Sequence, residues 1–473
     1  MANSYLTKDF GSAGNRKTMT FSFWVKRNVI GYGGDTQELF IGDAQTSYPS
    51  HFIDFDSANK LDIRSQDGVS GATLRFTSVR EFIDTTAWYH VVVAIDTTQA
   101  SAGDRCKAWV NGEQITAWGT STQSNGFGQN SDTNFNSGAS TEYIGKHYNF
   151  HSNFNLAHYH FVDGTALTPS TFGETDSTTG IWKPKTNPSV TYGTHGFFLK
   201  FENAGALGTD SSGNSKTWTV NGNLKQSIST PNNKFPNLNP RGTHTDYDTP
   251  VYNLNAGTTA LMTTGVNRVQ PIDMCFQGGK WYWECKIEKA NNSSTLGVYM
   301  TDFSSPKRIE QFNADLALQS AANGGKRAVS FLADASSSKI QNAGSTVTYG
   351  ANCSDGDIIM FAFDSATGKV WTGRNGTWNN APGTSNVGNP AAGTYDSGTV
   401  LTNTDNDLMS FYISGRSSDS TNRYMYINFG HGYFGTTAVA SANADGNGKG
   451  SFEYAPPTGF LALCSQNIQS DGG

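Results

Sequence analysis

Glu284 and Glu288 stand four residues apart in the run Lys280-Trp-Tyr-Trp-Glu-Cys-Lys-Ile-Glu288. On a strand, residues an even number apart share a face. Two carboxylates on one sheet face could cleave a glycosidic bond, one as nucleophile and one as acid. Lys286 lies between them. A cation there is expected to pair with both carboxylates and hold their pKa values down, which spoils a general acid. No catalytic residue is therefore assigned. His158 and His160 share a strand face and could grip a transition metal, but packing at a core edge uses the same residues. The run Asn443-Ala-Asp-Gly-Asn-Gly-Lys-Gly-Ser451 is rich in oxygen ligands like a calcium loop. Tyr454 occupies its twelfth position, where such a loop needs Glu, and Lys449 sits inside it. Asp54-Phe-Asp56 and Asp405-Asn-Asp407 are spacings that chance supplies in a polar chain. Neither a metal nor a cofactor is expected.

Aromatic residues in polar loops are the stronger lead. Trp118, Phe127, Phe135, Tyr148 and Trp378 lie among Ser, Asn and Gly. Rings flanked by amides and hydroxyls suit sugar faces, which are apolar on C–H and polar on O–H. A neighbouring protein subunit would use the same residues. Trp118, Phe127, Tyr148 and Trp378 are taken as the candidate ligand-binding set.

The elements that must position them are strands. Residues 88–96 form an apolar, β-branched run suited to a strand buried on both faces. Residues 105–112 alternate, with Cys106, Ala108 and Val110 on one face and Lys107 and Trp109 on the other. They end in Asn111-Gly112, a pair that tolerates the positive φ of a tight hairpin. Residues 355–376 repeat this grammar: apolar strand, Asp364, loop, a strand carrying Trp371, then Asn375-Gly376. Further strands are expected at 18–26, 38–43, 51–56, 60–64, 73–79, 142–145, 156–163 and 196–201. In the second half they are expected at 280–287, 295–300, 328–332, 408–413 and 424–429. Residues 119–141, 379–407 and 440–451 read as polar loops.

The chain has 473 residues, 52 of them Gly, with only 15% charged and no long helix-forming stretch. This predicts an all-β protein of two tandem antiparallel β-sandwiches. The first sandwich is placed at residues 1–203 and the second at 251–473. Residues 204–250, rich in Asn, Pro, Gly and Ser, read as an irregular connecting segment. The net charge of −6 comes without any Lys/Arg cluster, which argues against nucleic acid. No apolar run reaches the roughly 18 residues of a membrane span. Five scattered cysteines fit buried thiols in a chain made in a reducing cytoplasm.

Several motifs carry a family resemblance. The first half resembles laminin-G-like, concanavalin A-like sandwiches of marine bacteriophage tail-fibre and structural proteins. It does so through Ser12-Ala-Gly-Asn-Arg-Lys-Thr18, Trp88-Tyr-His-Val-Val-Val, Trp109-Val-Asn-Gly, residues 161–176 and Gly180-Ile-Trp-Lys-Pro-Lys185. The second half resembles a SPRY domain through Gly279-Lys-Trp-Tyr-Trp-Glu284, Leu296-Gly-Val298, Asp355-Gly-Asp357, Asn428-Phe-Gly430 and Tyr454-Ala-Pro-Pro-Thr-Gly-Phe460. It departs from that pattern in the long, polar stretch 377–407. Glucan-cleaving sandwiches carry Glu-x-Asp-x-Glu on a strand, and here Lys286 replaces the Asp. The resemblance implies sandwiches of the jelly-roll, concanavalin A-like kind in a phage virion protein, made in the host cytoplasm and acting without enzymatic activity. Its sandwiches would recognise a host surface polysaccharide or other receptor. The alternative is a structural subunit that decorates the particle. Other virion proteins and further copies of the chain are the expected partners, with no nucleic acid and no membrane insertion.

Overall fold

The structure, a computed structural model, describes residues 4–28, 30, 36–42, 50–66, 73–124, 127–138, 140–148, 150–177, 180–239, 253–254, 257–262, 268–290, 294–301, 328–342, 345–401, 403, 407–415 and 423–469. Asp405 and Asn406 of the Asp405-Asn-Asp407 motif lie outside them, as does Asp43. The chain divides into two compact units, Met1–Gln226 and Ser227–Gly473. Each is built from antiparallel sheets facing across an apolar core.

In the first unit one sheet runs in the order Trp118–Ser124, Thr73–Glu81, Lys60–Gln66, Ser50–Phe55, Gln37–Gly42, Glu142–Ile144, Tyr5–Lys8, Thr219–Asn221. The other runs Phe197–Leu199, Phe154–Asp163, Thr18–Arg27, Tyr89–Asp96, Cys106–Val110, Glu113–Gln114. Alternation does the sorting. Met19, Phe21, Phe23 and Val25 face Phe40, Ile53, Leu61 and Ile63 in one core. Full burial of such side chains contributes roughly 2–3 kcal/mol each. Tyr89–Asp96 is covered on both faces: Val91, Val93 and Ile95 enter that core, and Val92 joins Phe172, Tyr192 and Phe198 outside it.

The second unit pairs Asn253–Leu254, Thr259–Met262, Arg423–Asn428, Lys280–Ile287, Ile358–Asp364, Lys369–Arg374 and Thr377–Trp378 in one sheet. Leu461–Ala462 adds a short parallel pairing to Trp281 and Tyr282. Facing it are Arg268–Pro271, Leu408–Gly415, Ser294–Thr301, Ala328–Ala333, Lys339–Asn342 and Ser345–Thr348. Trp281, Trp283, Cys285 and Ile287 point into the core, while Tyr282 and Glu284 point out beneath a second apolar layer. Phe235, Phe452, Phe460, Ala462 and Cys464 belong to that layer.

The repeated grammar has a repeated structure. Asn111 and Gly112 have φ of 51° and 86°, and Asn375 and Gly376 have 48° and 85°. Two consecutive positive φ values are those of a type I′ turn, whose twist matches the flanking strands. In each unit the turn asparagine also binds the start of the preceding apolar strand. Asn111 Oδ1 accepts the His90 N–H at 2.8 Å, and Asn375 Oδ1 accepts the Ile358 N–H at 2.9 Å.

Residues 204–226 belong to the first unit. Trp218 enters its core, and Thr219–Asn221 pairs with Tyr5–Lys8. Asp210 clamps a turn there: Oδ1 accepts the N–H of Phe198 and Ser212, and Oδ2 that of Lys216. Residues 227–239 belong to the second unit, where Phe235 and Leu238 are buried. The stretch 119–141, expected as a loop, begins inside the edge strand Trp118–Ser124. None of that strand's residues is buried and only Trp118 is a large apolar one, so no apolar alternation marks it. The polar stretch 379–407 is pinned back by the Trp371 indole N–H on the Thr394 carbonyl at 2.9 Å.

Candidate functional site

The structure separates the four aromatic candidates. Phe127 is only 8% exposed and belongs to the first unit's core, as does the fully buried Phe135. Phe127 therefore has no ring face open to a ligand, which removes it from the candidate set. Trp118 packs edge-on against Phe76 at 5.2 Å and rests on the same core, half-buried. Trp378, in the second unit, packs edge-on to Tyr282 at 6.4 Å. Tyr148 is different: it is 43% exposed.

Tyr148 lies between the paired segments Lys146–His147 and Phe150–His151. Its φ is 56°, a conformation that costs a bulky non-glycine residue about 1 kcal/mol or more. Phe150 is 52% exposed. Two uncovered rings thus stand on one hairpin. Its base is set by the larger sheet. Leu6 and Ile144 point into the core, so their neighbours Tyr5 and Tyr143 point outward. The Lys146 ammonium lies 4.4 Å from the Tyr5 ring centroid and 5.9 Å from that of Tyr143. His151 packs on Tyr5 at 5.6 Å. His147 meets Phe52 edge-on at 5.6 Å and places Nδ1 3.3 Å from Glu38 Oε1. Phe52 also carries the Arg64 guanidinium, 4.5 Å from its ring centroid.

The surface is thus aromatic, with cations held against ring faces and two rings open to solvent. It can take the C–H face of a sugar or an apolar side chain, and Lys146 can donate to an oxygen. Sequence reading found Tyr148 as an aromatic residue in a polar loop. It missed Tyr5, Tyr143 and Lys146. The available signal was the out–in alternation of Tyr5-Leu6 and Tyr143-Ile144.

The remaining chemical candidates serve the fold. His160 is buried against Phe198 at 3.9 Å, with Nδ1 2.8 Å from the Tyr192 hydroxyl. His158 sits at a bulge with φ of 47°, its ring 6.5 Å from that of His160. His90 accepts the Trp182 indole N–H on Nδ1 at 2.9 Å, so its Nε2 carries the hydrogen that binds Ser22 Oγ at 2.9 Å. Burial, with His158 adding, lowers the His90 pKa to about 3. Among the described residues no group of three or more His, Cys, Asp or Glu could hold a metal ion. In the run 443–451, Asp445 Oδ1 accepts the N–H groups of Asn447 and Lys449. Its Oδ2 accepts those of Ala462 and the Asn467 amide. This aspartate is a clamp saturated by protein donors.

Glu284 and Glu288 do share a face, but their surroundings differ. Glu284 is fully buried, and each of its oxygens accepts two hydrogen bonds. Oε1 takes the Tyr282 hydroxyl at 2.8 Å and the Tyr454 N–H at 2.8 Å. Oε2 takes the Glu453 N–H at 3.0 Å and Asn428 Nδ2 at 3.2 Å. Burial raises its pKa to about 7 against the pull of those bonds. This is opposite to the depression expected from Lys286. Among the described residues Lys286 forms no ion pair with either carboxylate. Glu288, just past the strand end, accepts the Tyr424 N–H at 3.0 Å. Four of the cysteines are buried, Cys275 is exposed, and all five are free thiols.

No family model matches the sequence, and no curated protein matches it. Solved structures resemble parts of the chain. The SPRY domain of human HERC1 is 15% identical with a TM-score of 0.27, covering 40% of this chain and 96% of that one. Stonustoxin is 12% identical with a TM-score of 0.27, covering 41% and 28%. A heptameric SAP-like pentraxin from Limulus polyphemus is 17% identical with a TM-score of 0.24, covering 35% and 72%. These likenesses are partial and carry nothing about ligand or partner.

Proposed function

We propose that the protein is a non-enzymatic recognition subunit of a bacteriophage particle, a tail fibre or appendage. Its sandwiches bind a glycan or receptor on the host surface. The observation that carries recognition is the hairpin that leaves Tyr148 and Phe150 exposed while its Lys146 packs on Tyr5 and Tyr143. The phage setting rests on the sequence motifs in residues 12–18, 161–176 and 180–185. The carboxylate pair that suggested hydrolysis supports a non-enzymatic role, because Glu284 is sealed from solvent by its own donors.

The test is retention of the labelled protein on host cells. Changing Tyr148 and Phe150 together to Ser is expected to weaken retention about tenfold, since two stacking rings are lost. Free host polysaccharide is expected to compete with the unaltered protein. Retention by the variant equal to the original would overturn the assignment of this surface. Retention on phage particles but not on cells would replace host recognition with attachment inside the virion.

A further inference from the structure

The second unit carries a groove that none of the motifs anticipated. Among the described residues the outer face of its larger sheet is only partly covered. Phe235 and the segment around 452–464 roof Tyr282, Met360 and Trp371. Further along the same strands, residue pairing sets Tyr426 opposite Lys286. Glu288 lies beside Tyr424, one step beyond. The hairpin Tyr433–Phe434 with Thr437–Ala438 forms a wall there. A groove of about 320 Å³ results, lined by Lys286, Glu288, Tyr426, Phe434, Thr436 and Thr437.

Its chemistry is specific. Tyr426 stacks on Tyr424 at 6.1 Å and 22°, which fixes its ring. Burial first, then Glu288 and Tyr424, pushes its phenol up to about 12, so it stays an O–H donor. Glu288 is oriented by the Tyr424 N–H and can only accept; Lys286 can only donate. Lys286 and Glu288 together carry no net charge, so the groove offers neither an anion nor a cation a net attraction. Neighbouring hydroxyls on a sugar ring each donate and accept, so one can give to the carboxylate while the next receives from the ammonium. The C–H face of the ring needs an aromatic wall, which Tyr426 and Phe434 offer. The volume sits at the small end of ligand pockets, the size of one or two sugar rings rather than a folded partner.

We infer that this groove binds a neutral pyranose unit through Tyr426, Lys286 and Glu288, as a second saccharide site distinct from the Tyr148 hairpin. The inference rests on reading the protein as a glycan binder. Its test uses the full chain and saturation-transfer NMR, with methyl glycosides of glucose, galactose, mannose and N-acetylglucosamine as probes. At least one probe is expected to receive transfer. Tyr426→Ala and Lys286→Met are expected to cut it about fivefold or more, and Glu288→Gln, which keeps the acceptor for Tyr424, about threefold. The Tyr148→Ser, Phe150→Ser variant is expected to keep most of it. These groove residues point away from the core, so an unchanged melting temperature checks the fold. Transfer unaffected by the groove variants, or lost only in the hairpin variant, would overturn this site and leave the proposed function standing. No transfer to any probe would overturn the neutral-pyranose assignment, while cell retention would still judge recognition itself.

Discussion

Replacing Glu284 with Ala is expected to destabilise the second unit by about 4 kcal/mol. Four donors converge on this one carboxylate, two of them backbone N–H groups of Glu453 and Tyr454. Removing the acceptor strands the Tyr282 hydroxyl and one N–H of the Asn428 amide, whose other N–H keeps the Ser451 carbonyl, in a buried layer. It also unpins the segment that roofs the sheet. A stranded buried donor costs about 1–3 kcal/mol, and the two backbone groups can recover part of theirs from water. Calorimetry of the full chain, following the transition of this unit, reads the effect. A loss under about 1 kcal/mol would mean that the roof is held by Phe452 and Phe460 alone.

The same group fixes a pH dependence. Its folded pKa of about 7 lies above the ordinary 4.5. The folded state therefore binds the proton more tightly than the unfolded chain does. The corresponding stability is fully present below about pH 4.5 and is lost as pH rises through about 7, a swing of about 3 kcal/mol. Glu284→Gln removes that slope. The stability of the original relative to the Gln variant is expected to fall by this amount between about pH 4.5 and pH 8. Parallel profiles for the two proteins would show that the carboxylate stays ionised throughout, held by its four donors.

Local rules were legible where neighbours in sequence are neighbours in space. Residues 280–287, expected as a strand, form Lys280–Ile287, because an apolar–polar alternation over eight residues has one sensible placement. The Asn-Gly turns followed from backbone sterics alone. Long-range partners were not legible. Glu284 was weighed against Lys286, two residues away, yet its environment is made by Glu453 and Tyr454, about 170 residues later. Phe127 and Phe135 looked like loop aromatics because Gly, Ser and Asn surround them, but both rings are buried in the first unit's core. Trp118–Ser124 escaped notice for the converse reason: an edge strand with no fully buried residue shows no apolar period. The candidate site fell between these limits. Tyr148 was visible as a ring with no apolar context, while its supports come from strands more than a hundred residues apart in the case of Tyr5 and Tyr143.

Asp54→Asn is expected to stabilise the first unit by about 2 kcal/mol near pH 8, an unusual direction for a change at a buried site. Strand register places Asp54 directly between Glu38 and Asp62, with side chains on the outer face of the larger sheet. Side chains so paired lie about 5 Å apart at Cβ. Asp62 is provided for, accepting Arg75 Nε at 3.0 Å and the Thr77 hydroxyl at 2.6 Å. Glu38 has the Thr36 hydroxyl and His147. Asp54 is buried and its Oδ1 has no hydrogen-bond partner. Burial first, then Glu38 and Asp62, raises its pKa well above the ordinary 3.8, with Arg64 opposing. An acid so shifted adds stability that is present below about 3.8 and lost as pH rises through its folded pKa. Asparagine keeps the shape, offers an N–H where the neutral acid has its O–H, and cannot ionise. Its advantage is therefore expected to be near zero in acid and to grow with pH, as urea denaturation at several pH values would show. An Asn variant less stable than the original at about pH 8 would reverse the argument: Arg64 would then hold Asp54 ionised against burial and its acidic neighbours.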